Sequence, residues 1–173
     1  AARDAIAPLL DAINIDLKSF SPAVYRDVCG GELTWVTESI ADFAQRGVWV
    51  ELTTLLVPGL NDSDDELRSM AEWISDTLGE RAVWHLSRFH GDYEMADHDA
   101  TPLSTMDRAI SIAQAAGVRY VYGGNTPNSD ATTRCDGCGA TLITRQGFEV
   151  TANHLAHGMC SKCSRPVPGV WAF

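Results

Sequence analysis

Four short, mostly apolar runs recur along the first 124 residues, about 35 residues apart, with more polar stretches between them. The runs span residues 12–17, 48–57, 82–89 and 118–122. Each run has the length of a strand and is predominantly apolar, as buried strands of a parallel sheet are. We therefore expect four buried strands.

Helical periodicity occupies the intervals between these runs. Apolar side chains three and four residues apart predict a helix near residues 34–46. Ser63 and Glu66 have the spacing of a capping box, which predicts the start of a second helix. Ser104 is predicted to cap a third helix that ends at Gly117. This alternation indicates an α/β fold with a parallel sheet, either doubly wound or closed as a (β/α) barrel.

The beginning of the chain changes this picture. Residues 1–10 resemble the end of a helix, yet no strand precedes them. In a parallel sheet of only four strands, the first strand would leave its backbone N–H and C=O groups unpaired at an exposed edge, so we regard the sheet as incomplete. We expect the chain to be the C-terminal part of a longer protein.

Composition divides the chain into a body, a linker and a small C-terminal domain. The predicted domains are residues 1–124 for the sheet, 125–133 for a polar linker and 134–173 for the small domain. Residues 1–133 contain 9 Lys and Arg against 21 Asp and Glu, a net charge of −12, whereas residues 134–173 contain 4 against 2. Because so acidic a body repels phosphates, we do not expect nucleic acid as a partner.

Four cysteines form two C-x2-C pairs near the end of the chain. They are Cys135, Cys138, Cys160 and Cys163. Two such turns complete a tetrahedral sulfur site for zinc or, less often, iron, which predicts a zinc-ribbon or rubredoxin-like domain. Two disulfides are the alternative, but a two-residue gap strains a bridge. Between the pairs, residues 142–144 and 148–150 flank a predicted turn and suggest a small hairpin.

The chain also carries no sign of export or membrane insertion. No apolar run approaches the roughly 20 residues that span a bilayer, and nothing resembles a signal peptide. We expect a soluble, cytoplasmic protein with no membrane partner.

Charged side chains close the first predicted strand. Asp16 and Lys18 lie two residues apart, so the period of a strand places them on the same side. In βα folds, ligands bind at the carboxyl ends of the strands. A ligand site is therefore favoured here, with a surface ion pair as the alternative.

The end of the third strand offers polar side chains as well. Ser87, Arg88 and His90 are candidates, whereas His85, inside the strand, is expected to be structural. The following loop is acidic and contains a second histidine. A second metal site there is the less favoured interpretation, and a solvated loop the favoured one, for Asp92, Glu94, Asp97, His98 and Asp99.

Four strings carry a resemblance to a known family. They are Asn-Ile-Asp-Leu-Lys at residues 14–18, Leu-Leu-Val-Pro-Gly-Leu-Asn-Asp at 55–62, His-Leu-Ser-Arg-Phe-His at 85–90 and Tyr-Val-Tyr-Gly-Gly-Asn at 120–125. In this order they resemble the radical S-adenosylmethionine (SAM) enzymes similar to pyruvate formate-lyase activating enzyme. The resemblance extends to the AmmeMemoRadiSam-system branch, whose four-cysteine ribbon closes with a Pro-Gly-Val-Trp string like residues 168–171 here.

The resemblance implies roles for particular residues. It casts Asp16 as a ligand of the SAM ribose, and Lys18 and His90 as ligands of the methionine carboxylate. Asn125 would line the same mouth. Gly30-Gly31-Glu32 looks like the family's amino-group motif, but it follows the Asp-Leu-Lys strand instead of preceding it, so we interpret it as a loop, with Cys29 as a buried or loop thiol.

The family's C-x3-C-x2-C loop, which holds a [4Fe-4S] cluster, is absent from the 173 residues. Because that loop follows the first barrel strand in the family, the resemblance implies the C-terminal half of a partial (β/α)6 barrel followed by a ribbon. The parent enzyme would cleave SAM reductively to a 5′-deoxyadenosyl radical that abstracts hydrogen from a substrate. In the activating enzymes that substrate is a protein. The chain alone should be inactive.

Two alternatives stay open at this point. One is a degenerate, non-catalytic barrel whose ribbon docks a protein partner. The other is an unrelated βα enzyme with a structural zinc site, such as an aldolase-like lyase that uses Lys18 as a Schiff base.

Overall fold

The computed structural model describes residues 2–126, 131–147 and 149–171 and divides the chain into two compact units. We call Ala1–Pro127 the sheet unit and Asn128–Phe173 the ribbon unit. The boundary lies inside the predicted linker, but a strand of the ribbon unit already begins at Thr133, the last residue of that linker.

The sheet unit alternates strands and helices as the apolar pattern predicts. Its strands are β1 (Ala12–Asp16), β2 (Trp49–Leu56), β3 (Val83–Arg88) and β4 (Tyr120–Gly124). Its helices are α1 (Ala2–Ile6), α2 (Pro22–Asp27), α3 (Leu33–Gln45), α4 (Asp64–Leu78) and α5 (Leu103–Ala115). Short 3-10 turns lie at Ala7–Leu9, Gly79–Arg81 and Tyr93–Met95.

The four strands are parallel and follow the order β1-β2-β3-β4. Successive right-handed crossovers in a sheet of sequential order place every connecting helix on the same face. A doubly wound sheet would have helices on both faces. The described strands therefore have the winding of a barrel wall and not of a doubly wound sheet.

The helix-covered face of the sheet is the apolar core. Leu52 and Leu56 of β2 and Leu86 of β3 are fully buried in one cluster with α4 residues such as Met70 and Ile74. The largest side chain in this layer belongs to Trp84, which is also fully buried. Its indole Nε1 donates to Thr54 Oγ1 at 2.9 Å, which satisfies the polar atom that burial would otherwise penalise.

The opposite face of the sheet is polar only towards the carboxyl ends of the strands. Near the amino ends, Trp49, Val83 and Tyr120 are buried on this face. The other positions there include these half-buried or exposed side chains: Asn14, Asp16, Glu51, Thr53, His85, Ser87 and Tyr122. The prediction of four buried strands therefore holds on the helix-covered face, whereas the polar part of the opposite face, which we call the polar face, is half-buried or exposed.

Some element bounds differ from the predictions by one or two residues, and one helix was not predicted. Helix α5 begins at Leu103 with Pro102 as its N-cap, so the predicted Ser104 cap was wrong. Strand β4 starts two residues later than predicted and continues through Gly124. Helix α2 was not predicted, although the Ser21 hydroxyl caps it by accepting from the Val24 N–H and Pro22 occupies its first turn.

The ribbon unit contains two small antiparallel sheets. Strands β5 (Thr133–Arg134), β6 (Thr141–Gln146) and β7 (Glu149–Asn153) form one, and β8 (Leu155–Ala156) and β9 (Met159–Cys160) form the other. The predicted hairpin is present between β6 and β7, but its first strand runs to Gln146, so the turn lies later than predicted. Phe148, predicted to start the second strand, lies outside the described residues.

Among the described residues, no helix is both long and apolar enough to cross a membrane.

Candidate functional site

The four cysteines of the two C-x2-C pairs converge on one point. Their Sγ atoms all lie within 4.8 Å of one another, with Cys135 to Cys163 at 3.6 Å and Cys138 to Cys160 at 3.7 Å. Four thiolates about 2.3 Å from one tetrahedral zinc ion would lie about 3.8 Å apart, whereas a disulfide requires about 2.05 Å. The donor set therefore fits one tetrahedral metal ion and not two disulfides.

The two cysteine turns have the same backbone construction. In the first, the Gly139 N–H donates to the Cys135 carbonyl at 2.8 Å; in the second, the Ser164 N–H donates to the Cys160 carbonyl at 2.8 Å. Gly139 and Ser164 both have positive φ, +69° and +59°. The matched turns explain why spacing alone predicted convergence of the four sulfur atoms.

The protonation of the thiols also favours a cation. Backbone N–H groups of Cys163 and then Lys162 lower the pKa of the Cys160 thiol to about 7. At Cys163 the Arg165 backbone N–H favours the thiolate, but the hydrogen bond with Cys138, desolvation and the other thiols outweigh it and raise the pKa to about 12. Without a cation the Cys160 thiolate is therefore favoured and the Cys163 thiolate disfavoured, and a bound cation would stabilise both.

An ion pair joins the two cysteine turns. Arg165 Nε lies 3.1 Å from Asp136 Oδ1, and a Cβ added at Gly137 would approach Arg165 Cδ to 2.8 Å. The second turn therefore packs its arginine directly onto the first, and Gly137 leaves the room for it.

The Asp16 and Lys18 side chains meet at the carboxyl end of β1. Lys18 Nζ lies 2.8 Å from Asp16 Oδ2, and the two side chains are about half exposed. The period-two prediction of a shared side is confirmed. Lysine nucleophiles are commonly activated by desolvation in an apolar pocket, which a half-exposed lysine lacks, so the pair gives the Schiff-base alternative no support.

The backbone at Lys18 is held by two buried side chains. Its N–H donates to the Tyr25 hydroxyl at 2.9 Å, and its carbonyl accepts from Asn61 Nδ2 at 2.6 Å. Tyr25 and Asn61 are almost fully buried, and burial raises the pKa of the Tyr25 phenol. Asn61 also bonds the backbone of Leu55 and Val57, so it ties the loop after β2 to the loop after β1.

Glu66 binds the same loop from the first turn of α4. Its Oε1 accepts from the Phe20 N–H at 2.8 Å and from the hydroxyl of Ser19, which is fully buried. The predicted capping box is thus half formed: Ser63 Oγ accepts from the Glu66 N–H at 3.3 Å, but the Glu66 carboxylate binds the β1 loop instead.

A buried threonine organises the loop after β3. Thr101 Oγ1 donates to the Leu56 carbonyl at 2.6 Å and accepts from the Phe89 N–H at 3.0 Å. Arg88 Nε donates to the Thr101 carbonyl at 2.6 Å. The ends of β2 and β3 are therefore fixed to each other at the edge where Asp16 and Lys18 lie.

The remaining predicted residues lie at this edge with fewer contacts. His90 follows β3 and is exposed. Asn125 follows β4 with φ +56°, and its Nδ2 approaches the Arg88 carbonyl at 3.4 Å. Asp16, Lys18, His90 and Asn125 thus all follow or end strands at one edge of the sheet.

Sequence reasoning missed a polar group on the polar face. His85 Nε2 lies 2.7 Å from Glu51 Oε2, and the His85 ring stacks on Tyr122 with centroids 5.4 Å apart. Glu51 Oε1 also accepts from Trp49 Nε1 at 3.0 Å. His85 was expected to be structural, and that expectation stays a prediction. The available signal for this group was polar residues spaced by two in neighbouring strands.

Among the described residues, neither the acidic loop after β3 nor the fifth cysteine, Cys29, forms a group that could bind a metal ion. Within the described residues, the four ribbon cysteines are the group of three or more donors close enough to share an ion. Asp92 Oδ1 accepts from the Tyr93 N–H at 2.8 Å and so starts a 3-10 turn. Cys29 is an exposed thiol in the loop before α3.

Two solved structures share this architecture. A domain of pyruvate-formate lyase-activating enzyme from Bacteroides vulgatus matches with a TM-score of 0.62 and 18% identity, over 71% of this chain and 73% of that chain. The chain has a radical-SAM-like fold. A radical SAM methyltransferase from Sphaerobacter thermophilus matches with a TM-score of 0.52 and 17% identity, over 80% of this chain and 41% of that one. At such identities the similarity concerns the fold alone, and function has to be argued from the site.

Sequence comparison gives one curated relative with no assigned function. It is the uncharacterised protein MJ0808 of Methanocaldococcus jannaschii, 40% identical over 147 residues. The match covers 84% of this chain and 44% of the relative, so the chain spans less than half of that protein's length. No protein-family model matches the chain.

Proposed function

We propose that the chain is the SAM-binding, C-terminal part of a radical SAM enzyme of the activating-enzyme type, in the AmmeMemoRadiSam-system branch. The observation that carries the proposal is the Asp16 and Lys18 pair at the carboxyl end of β1, 2.8 Å apart and half exposed, on a sheet with a radical-SAM-like fold. A carboxylate at that edge can accept from the ribose hydroxyls of SAM, and an ammonium there can pair with its methionine carboxylate.

Each site residue then has a defined task. Asp16 accepts hydrogen bonds from the ribose, while Lys18 pairs with the methionine carboxylate. His90, which follows β3 at the same edge, adds a second donor to that carboxylate, and Asn125 borders the mouth beside the Arg88 carbonyl. The Asp16 and Lys18 side chains form an ion pair that is half exposed to solvent. Binding of SAM would break this ion pair, because each side chain then binds the ligand.

The cluster chemistry belongs to residues outside this chain. The 173 residues contain five cysteines and no C-x3-C-x2-C loop, and four of the five form the ribbon site, so they do not fit a [4Fe-4S] cluster. In the proposed parent enzyme, residues outside this chain would hold such a cluster, which would supply the electron for reductive cleavage of SAM. In the activating enzymes the substrate of the radical is a glycine of a partner protein, and a protein substrate is proposed here as well.

The ribbon site is proposed to hold zinc in a structural role. Four sulfur donors in two closed turns leave a tetrahedral ion no open position for a substrate. Iron in a rubredoxin-like site is the variant, and its visible absorption distinguishes it from colourless zinc.

The experiment that tests the proposed function is SAM binding to the protein encoded by the complete gene, loaded with iron and sulfide without oxygen. We expect binding that Lys18→Ala weakens and that His98→Ala, an exposed histidine on the neighbouring acidic loop, leaves unchanged. Equal effects at both positions would contradict the assigned site.

A further inference from the structure

The loop that follows Lys18 is held by the carboxylate of Glu66, which is far away in sequence. Glu66 lies 46 and 47 residues from the two groups it binds, the Phe20 N–H and the Ser19 hydroxyl. Ser19 is fully buried and its Oγ accepts in turn from the Ser21 N–H at 3.0 Å. A single carboxylate oxygen therefore organises three consecutive residues directly after Lys18.

This use of Glu66 is not required by its own helix. The first turn of α4 already contains Asp64 and Asp65, whose charges complement the helix dipole, and Ser63 caps the helix. A capping box would direct the Glu66 carboxylate to the backbone N–H of Ser63. Instead the carboxylate turns to the β1 loop, where charge-assisted hydrogen bonds are stronger than neutral ones.

We propose that Glu66 is a positioning residue for SAM binding: it fixes the backbone of residues 18–20 so that the Lys18 ammonium stays at the carboxyl edge of the sheet. The inference rests on the proposed function, because it assumes that Lys18 binds the methionine carboxylate. Glu66 acts with Asn61 and Tyr25, which hold the carbonyl and the N–H of Lys18 itself. Glu66 does not touch the ligand and works through Lys18.

The test is a double-mutant cycle between Glu66 and Lys18, read as the SAM dissociation constant of the cluster-loaded protein from the complete gene. Glu66→Ala should raise the dissociation constant about 3- to 10-fold, the scale of one or two lost hydrogen bonds. Glu66→Gln keeps an acceptor oxygen and should restore most of the affinity. Glu72→Ala, an exposed glutamate on the same helix, should change nothing.

The decisive result is the effect of Glu66→Ala in a Lys18→Ala background. Because Glu66 acts through Lys18, its effect should fall below about 2-fold there. The same 3- to 10-fold loss in both backgrounds would overturn the inference. If Lys18→Ala alone leaves binding unchanged, the proposed function fails instead, so the two failures are distinguishable.

A second measurement needs no cofactor and covers the case that Glu66→Ala folds poorly. In the 173-residue chain, Ser19→Ala removes the hydroxyl donor but keeps Glu66 and its bond to the Phe20 N–H. Amide hydrogen exchange at residues 18–21 should rise at least 3-fold in Ser19→Ala, while exchange in the ribbon unit stays constant. Unchanged exchange at residues 18–21 would overturn the inference.

Discussion

The two units of the chain are stabilised by different means. In the sheet unit, three helices bury a continuous apolar cluster against one face of a parallel sheet, with fully buried side chains such as Leu52, Ile74 and Trp84. In the ribbon unit the described buried residues are few and small: Thr133, Cys135, Leu142, Ile143, Cys160 and Val167. Two of these six are metal donors.

The difference follows from size. A domain of fewer than about 50 residues cannot bury enough apolar surface to offset its conformational entropy and usually needs a metal or disulfides. We therefore expect the ribbon unit to depend on a bound metal ion for folding, whereas the sheet unit depends on the packing of its apolar core.

The largest expected effect is loss of the ribbon metal. Cys138→Ser, or removal of the ion by a strong chelator, should unfold the ribbon unit, because binding free energy of about 10 kcal/mol is also folding free energy in such sites. The sheet unit should keep its helical circular dichroism. Metal analysis of freshly purified protein should give one zinc per chain, and a metal-free, folded ribbon unit would contradict the comparison.

The reverse experiment breaks the sheet unit. Trp84→Ala removes a fully buried indole and its hydrogen bond to Thr54, and should destabilise the sheet unit by about 3 to 5 kcal/mol. The bound metal should stay at one per chain, since the ribbon has its own source of stability. Loss of metal in this variant would show that the two units do not fold independently.

A smaller effect is expected for a substitution that should change SAM binding by the sheet unit but not metal binding by the ribbon unit. Lys18→Ala should weaken SAM binding to the parent enzyme by about 1.5 to 3 kcal/mol, the scale of a hydrogen bond between charged groups. The metal content of the ribbon should be unaffected. Binding is measured by equilibrium dialysis, with His98→Ala as the matched control; a loss of metal in Lys18→Ala would assign the lysine a structural role.

The smallest prediction compares the two cysteine turns with each other. Ser164 occupies the left-handed position that Gly139 occupies in the first turn, and a residue with a Cβ costs about 1 kcal/mol there. Ser164→Gly should therefore raise the chelator concentration that removes the ion, and Gly139→Ala should lower it. Opposite shifts would mean that the side chains and not the backbone determine the stability of these turns.

The fold was predictable where a local pattern decides it. Apolar runs gave the four strands, and the C-x2-C spacing gave the convergence of the cysteines, because both depend on neighbours in sequence. The predicted start of α5 at Ser104 was wrong. Serine is a good N-cap residue, but here it lies inside the first turn of a helix whose N-cap is Pro102. Helix α2 is six residues long, too short for its periodicity to stand out.

The site was predictable only in part. The period of a strand brought Asp16 and Lys18 together, but two of the side chains that hold their loop, Asn61 and Glu66, come from 43 to 47 positions away. Likewise Glu51 and His85 are 34 residues apart and meet through strand register. Pairings of this kind depend on tertiary structure, and Glu66 in particular has a sequence context that predicts a different partner.

The central claim, that this chain is part of a radical SAM enzyme, is tested most directly by 5′-deoxyadenosine. The protein encoded by the complete gene should be brown after anaerobic reconstitution with iron and sulfide, and should release 5′-deoxyadenosine from SAM when reduced with dithionite. The 173-residue chain treated in the same way should release none, because it lacks the cluster cysteines. No 5′-deoxyadenosine from the complete protein, or release above background by the chain alone, would contradict the account.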